Sequence, residues 1–156
     1  MRVRPASGGG RTLAWRGGLT DVVGVVLVSH GPLAEGLKGA AEMIVGPQER
    51  LAAVGMDAAA DVEALRAEIE GALARVSEGA DGGLILADML GGSPSNASGY
   101  AALAGTPVIC GVNLPMLLEV LMRRESAGPL ELAAAALEAG RQGVTDLGAR
   151  LSGGAG

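Results

Sequence analysis

The chain has one histidine in 156 residues, His30, within Ser29-His30-Gly31-Pro32. An imidazole nitrogen is a competent nucleophile toward phosphorus, and the ring is largely neutral at neutral pH. Which nitrogen attacks depends on the tautomer, and a carboxylate accepting a hydrogen bond from the other nitrogen would fix it. Asp88 is the candidate for that role, the one an aspartate plays in a catalytic triad. It would also stabilise positive charge developing on the ring. Gly91-Gly92-Ser93 follows, just ahead of Pro94, as at the opening of a helix. Backbone N–H groups at such an opening form an anion site, and glycines let phosphoryl oxygens approach closely. Asn113, in Gly111-Val112-Asn113-Leu114-Pro115, adds a third polar position, and Gly31 and Asn113 are expected to support the loops. None of these segments carries Lys or Arg. The oxygens are therefore expected to be held by dipoles, which bind without trapping a group that must leave.

Each residue alone has an ordinary reading. A histidine after a strand is commonly just exposed, Gly-Gly-Ser-Pro is a turn with a helix cap, and Asp88 could cap a turn. Asn113 could be a helix entry. Their meaning depends on the elements that carry them. Residues 22–28 form a β-branched run without polar alternation, the pattern of a strand buried on both faces. Pro32 then begins a helix with Leu33, Leu37, Ala40, Ala41 and Ile44 at helical spacing. Residues 51–55 read as a weaker strand, 61–76 as an amphipathic helix, and 84–87 as a buried strand closed by Asp88. Ser93 is expected as a helix cap with Pro94 at the first helical position. A fourth strand covers 107–112, a helix runs from Pro115 to Arg123-Arg124, and another spans 130–139. A short last strand is expected at 143–147.

Strand and helix alternate four times, which predicts an α/β fold: an open, doubly wound, mainly parallel sheet of four strands with helices on both faces. Ligands of such folds bind beyond the carboxyl ends of the strands. His30, Asp88 and Asn113 all follow strands, so one sheet edge collects them. That convergence turns three ordinary residues into a phosphoryl-carrying site.

Composition narrows the classes. Aromatic residues make up 1% of the chain, so stacking on bases or nucleotides has almost nothing to work with. The first twenty residues carry Arg2, Arg4, Arg11 and Arg16 and no acid, which leaves −9 on the rest against −5 for the whole. An acidic body argues against nucleic acid as a partner. One cysteine, Cys110 in an apolar run, excludes an internal disulfide and a cysteine-based metal cluster, and one histidine excludes a multi-histidine metal site. Neither metal nor cofactor is expected. No apolar stretch approaches the roughly 20 residues of a membrane span, and no secretory signal is evident, so the cytoplasm is the expected compartment. Residues 1–20 are expected to be a flexible basic extension, 21–150 the functional domain, and 151–156 a disordered tail. Trp15, the only tryptophan, falls in the extension without an evident role.

Several motifs carry a family resemblance. Val-Ser-His-Gly at 28–31, Ala-Glu-Gly-Leu at 34–37, Ala-Asp-Met-Leu-Gly-Gly-Ser-Pro-Ser-Asn at 87–96 and Gly-Val-Asn-Leu-Pro-Met-Leu at 111–117 resemble the mannose-type enzyme IIA of bacterial sugar phosphotransferase systems. The similarity runs in order from Val22 to Leu147. It implies that His30 accepts a phosphoryl group from the carrier HPr and passes it to an enzyme IIB, with Asp88 paired to the histidine. It also implies a homodimer that exchanges the C-terminal strand, and contact with the membrane only through IIC and IID transporter subunits. Two positions depart from the family pattern: Leu90 and Ser95 stand where a bulky ring is often found. No enzyme IIB domain follows residue 150, so an acceptor on a separate chain is expected.

Three rivals have distinguishing features. The phosphocarrier subunit for dihydroxyacetone kinase shares a Ser-His start, but its Gly-Ser-Ala type loop differs from Gly91-Gly92-Ser93-Pro94. A histidine phosphatase calls for a second histidine and a phosphate-clamping arginine beside the first. A non-transport regulatory module, whose His30 phosphorylation state controls binding to another protein, is the alternative that sequence does not separate from sugar uptake.

Overall fold

A seven-residue strand supplies two cores at once. In the computed structural model, which describes residues 22–80 and 82–153, β1 (Gly24–His30) is buried at every position except His30. Side chains alternate along a strand, so Val25 and Leu27 pack into one cluster while Val26 and Val28 pack into the other. Such a strand needs apolar residues throughout, which explains the absence of polar alternation.

The sheet is parallel throughout, in the order β2-β1-β3-β4, with β2 at Leu51–Met56, β3 at Gly83–Ala87 and β4 at Val108–Cys110. On one face lie α1 (Leu33–Val45), α4 (Leu114–Arg123) and α5 (Pro129–Gln142), which contribute Ala41, Leu117, Val120 and Leu132. The other face is covered by α2 (Val62–Ser77) and α3 (Ser93–Leu103) through Leu65, Ile69, Ala97 and Ala101. The expected doubly wound α/β architecture is what the chain forms. Aliphatic side chains and alanine fill both cores.

The opposite end of the sheet is closed by a buried cation. Arg124, 4% exposed, donates to the carbonyls of Glu49 and Arg50 and to Gln48 Oε1. Its own carbonyl accepts from Val23 N. These bonds tie the entrances of β1 and β2 to the end of α4.

Three local expectations need correction. No strand forms at 143–147; the chain instead enters a short helix, α6 (Leu147–Gly153). Asp146 supports that choice, because its Oδ1 accepts from Ala149 N at 3.0 Å and its carbonyl from Arg150 N at 3.1 Å. Residues 151–153 are accordingly helical rather than part of a tail. At α3 the cap is Gly92, and Ser93 is the first helical residue. The extension at 1–20, including Trp15, and residues 154–156 lie outside the described residues.

Candidate active site

The order of the strands reverses direction between β1 and β3: the chain moves from β1 outward to β2, then returns and continues through β3 to β4. At such a switch point the loops leaving two neighbouring strands diverge and leave a crevice. His30 ends β1 and Asp88 follows β3, so the two residues face each other across that crevice.

The pair is tightly held. His30 Nδ1 lies 2.7 Å from Asp88 Oδ2, and the same oxygen accepts from the His30 backbone N at 2.9 Å. Asp88 Oδ1 accepts from Met89 N at 2.8 Å. The Asp88 backbone donates to Val28 O at 3.0 Å, which locks the carboxylate to the strand that carries the histidine. Burial alone would push the Asp88 carboxyl up, but the two N–H groups and the imidazole outweigh it and hold it below the usual carboxylate range. An ionised Asp88 is an acceptor only, so Nδ1 must carry a proton to meet it, and in the neutral tautomer this leaves the lone pair on Nε2. The His30 side chain is 45% exposed, against 9% for Asp88.

The loops are shaped to expose that nitrogen. Gly31 takes φ +51 in turning the chain out of β1, and its N–H donates to Met56 O at 2.8 Å. Ser29 Oγ accepts from Ala34 N at 2.7 Å and so fixes the turn to the start of α1. On the far side of the ring, Gly92 approaches so closely that a Cβ would lie 2.7 Å from His30 Cε1 and 3.2 Å from Nε2. The opening of α3 therefore abuts the free nitrogen, and no side chain caps that helix. The partial positive charge of a helix start stabilises an anion by about 0.3–1 kcal/mol, up to about 2 in partly buried geometries.

The expected site residues divide. His30, Asp88, Gly92 and the first turn with Ser93 come together. Gly91 does not present its N–H to the ring's ligand: that N–H donates to Ser95 Oγ at 3.0 Å, and Ser95 in turn donates to Gly92 O at 2.9 Å. Gly91 serves instead through φ +87, which turns the loop back onto the histidine. Asn113 caps α4, accepting from Met116 N and donating to Gly140 O, and so supports the loop from outside the pair. Ser95 is the residue the sequence reading undervalued. A serine three positions after the Gly-Gly pair, one past the proline, is its only mark in the sequence.

Cys110 closes β4 near this edge. Burial pushes its thiol up, and the Asp88 carboxylate adds to the effect, so it remains a neutral thiol. Among the described residues no group of three His, Cys, Asp or Glu side chains could hold a metal ion. No helix among them is long and apolar enough to cross a membrane.

A family model described as the fructose IIA component of the phosphotransferase system, EIIA-man, matches residues 24–137, which include both His30 and Asp88. The chain belongs to the mannose-type enzyme IIA family. That family is one of phosphotransferase-system IIA components. Among relatives, it is 37% identical over 131 residues to the mannose-specific EIIAB component of Escherichia coli K12, a match covering 82% of this chain and 40% of that protein. The chain therefore spans well under half of that relative's length. It is 34% identical over 106 residues to the fructose-specific EIIA component of Bacillus subtilis, covering 67% of this chain and 72% of that one. Among solved structures, the mannose/sorbose-specific IIA subunit of Enterococcus faecalis superposes with a TM-score of 0.71 at 30% identity, covering 81% of this enzyme IIA and 95% of that chain. The EIIA component of Streptococcus agalactiae gives 0.73 at 25% identity, covering 81% and 98%.

Proposed function

We propose that this enzyme IIA is a phosphohistidine carrier that takes a phosphoryl group from HPr onto His30 Nε2 and delivers it to a mannose-type enzyme IIB. The observation that supports this most is the 2.7 Å contact between His30 Nδ1 and Asp88 Oδ2, which leaves Nε2 free beside the Gly92 helix start. In the forward step the Nε2 lone pair attacks phosphorus in line with the phosphorus–nitrogen bond of phospho-HPr. That bond breaks, and the departing imidazole of HPr keeps its electron pair. The His30 ring gains positive charge, balanced by Asp88, while Gly92 and Ser93 at the helix opening face the transferred oxygens. Delivery to enzyme IIB is the same step in reverse on a new imidazole. Bonds made and broken are of one kind, so transfer is close to isoenergetic and reversible. Catalysis then rests on positioning and charge stabilisation rather than on acid–base groups.

The carrier works in the cytoplasm, as a homodimer, and reaches the membrane only through IIC and IID subunits. The deciding experiment is labelling with phosphoenolpyruvate, enzyme I and a cognate HPr. Acid-labile, alkali-stable label is expected on the wild type and none on His30→Ala. Label persisting in His30→Ala, or none on the wild type, rejects the reading.

A further inference from the structure

We propose that Ser95 is a positioning residue for phosphoryl transfer at His30: its hydroxyl closes the Gly91-Gly92 turn and holds Gly92 against the imidazole. This role presupposes that His30 is the phosphoryl carrier and adds a residue to that site. Residues 89–92 link Asp88 to α3, and Met89 and Leu90 among them are 52% and 81% exposed. The other two are glycines, the least self-constrained of residues, and Gly91 adopts φ +87. Packing and intrinsic stiffness therefore do little to fix this turn, and hydrogen bonds have to. At its start Met89 N donates to Asp88 Oδ1. At its end Ser95 Oγ accepts from Gly91 N at 3.0 Å and donates to Gly92 O at 2.9 Å. Among the described residues, Ser95 is the only side chain hydrogen-bonded to either glycine. Ser95 is itself buried, so water competes little for its hydroxyl.

The choice of serine fits the chemistry. Ser95 is the third residue of α3, where glutamate or glutamine commonly reaches back to an N–H at the helix start. A glutamate there would set a negative charge one turn from the opening that receives the phosphoryl oxygens. A hydroxyl makes the same bond without charge, and being donor as well as acceptor it also meets Gly92 O. Between Asp88 and Glu119 the chain carries no charged residue, so the opening of α3 faces no competing carboxylate from its own segment. The ring is thereby held from two sides. Asp88 meets Nδ1 at 2.7 Å, while a Cβ on Gly92 would lie 3.2 Å from Nε2. Asp88 is tied to β1 through its own backbone. Gly92 O also accepts from Asn96 N at 3.0 Å, but that bond anchors only the helix side of the residue. Ser95 alone reaches across to Gly91.

Ser95→Ala tests the role, with Ser98→Ala as its control. Ser98 is another buried serine of α3, but its hydroxyl donates to Pro94 O and does not touch the turn. With circular dichroism unchanged, Ser95→Ala should show faster hydrogen exchange at the Gly91 amide. It should also show a weaker nuclear Overhauser effect between Gly92 Hα and His30 Hε1. Single-turnover transfer from phospho-HPr should slow roughly 10-fold at saturation, less than the roughly 100-fold that a displacement of about 1 Å costs. The half-saturating concentration of phospho-HPr should not change. Ser95→Cys, which fills the site with a weaker hydrogen-bonding group, should fall between the two. Ser98→Ala should transfer at the wild-type rate. A wild-type rate in Ser95→Ala, or a loss matched by Ser98→Ala, overturns the proposal. So does a Gly92–His30 contact that survives loss of the hydroxyl. A wild type that accepts no label instead rejects the carrier reading, and the Gly91 and Gly92 signals then decide alone whether Ser95 holds the turn.

Discussion

Gly92 and His30 touch so closely that the glycine has no room for a side chain: a Cβ would meet ring atom Cε1 at 2.7 Å. The backbone of Gly92, at φ −92 and ψ 169, is one that other residues adopt freely. The demand for glycine here comes from the imidazole.

Gly92→Ala tests that demand. The methyl group must displace the ring or the helix start, which moves Nε2 relative to the donors of α3. Phosphoryl transfer should slow on the order of 10²-fold, since misplacement of about 1 Å costs that much. Stability should fall by only about 1–3 kcal/mol, typical of one added methyl in a packed place. Rapid-quench transfer from phospho-HPr, alongside urea unfolding, gives both quantities. A wild-type rate would show that Nε2 does not depend on this contact.

Asp88→Asn tests the pairing. An amide nitrogen in place of one oxygen must face the imidazole, His30 N or Met89 N, all of which now find an acceptor. The variant is expected to keep its fold but lose about 1–3 kcal/mol, because a buried N–H is left without a partner. Single-turnover transfer should drop by roughly 10²–10⁴-fold, as for orienting aspartates elsewhere. If transfer proceeds unchanged, Asp88 is a loop cap and nothing more.

The direction of the Asp88 shift sets a pH dependence. Its carboxyl is held below the usual range in the folded chain. The resulting stability is fully present above the unfolded carboxylate pKa of about 3.9 and is lost as pH falls through the lower, folded value. The stability gap between wild type and Asp88→Asn should therefore narrow as the pH is lowered through about 4. Urea midpoints measured down to acid pH check this; a gap that widens toward acid would contradict the shift.

The C-terminus offers a test of assembly. Helix α6 has no buried residue, and Leu147 and Leu151 are 68% and 72% exposed. Exposed leucines on one short helix suit burial against a second copy. Light scattering should give twice the chain mass at micromolar concentration, and Leu147→Asp with Leu151→Asp should give the monomer. A monomeric wild type counts against the homodimer.

Much of this was legible in the sequence because it depends on local pattern. The β-branched runs ending at His30 and Asp88 read as buried strands, and parallel strands must deliver their ends to one edge. The pairing of two residues 58 positions apart followed from that alone. What escaped depends on where a side chain finds its partner. Nothing local says that Gly91 N–H goes to Ser95 rather than to a ligand. The sequence likewise treats Arg123 and Arg124 alike as a helix end. Arg124 is nevertheless buried, because the carbonyls leading into β2 converge on it. The segment at 143–147 had strand-like residues, but no neighbouring strand in the single chain offers it a ladder.

Because β1 and β3 are adjacent rungs, with Val28 paired to Ala87 one or two residues before His30 and Asp88, the relative position of the imidazole and the carboxylate is set by the sheet itself. No hinge must swing and no flap must shut for His30 to be ready. For the carrier role proposed above this is an advantage, since neither donor nor acceptor would spend binding energy on closing a door. Throughput then becomes a question of how often the partners collide productively and how fast they part.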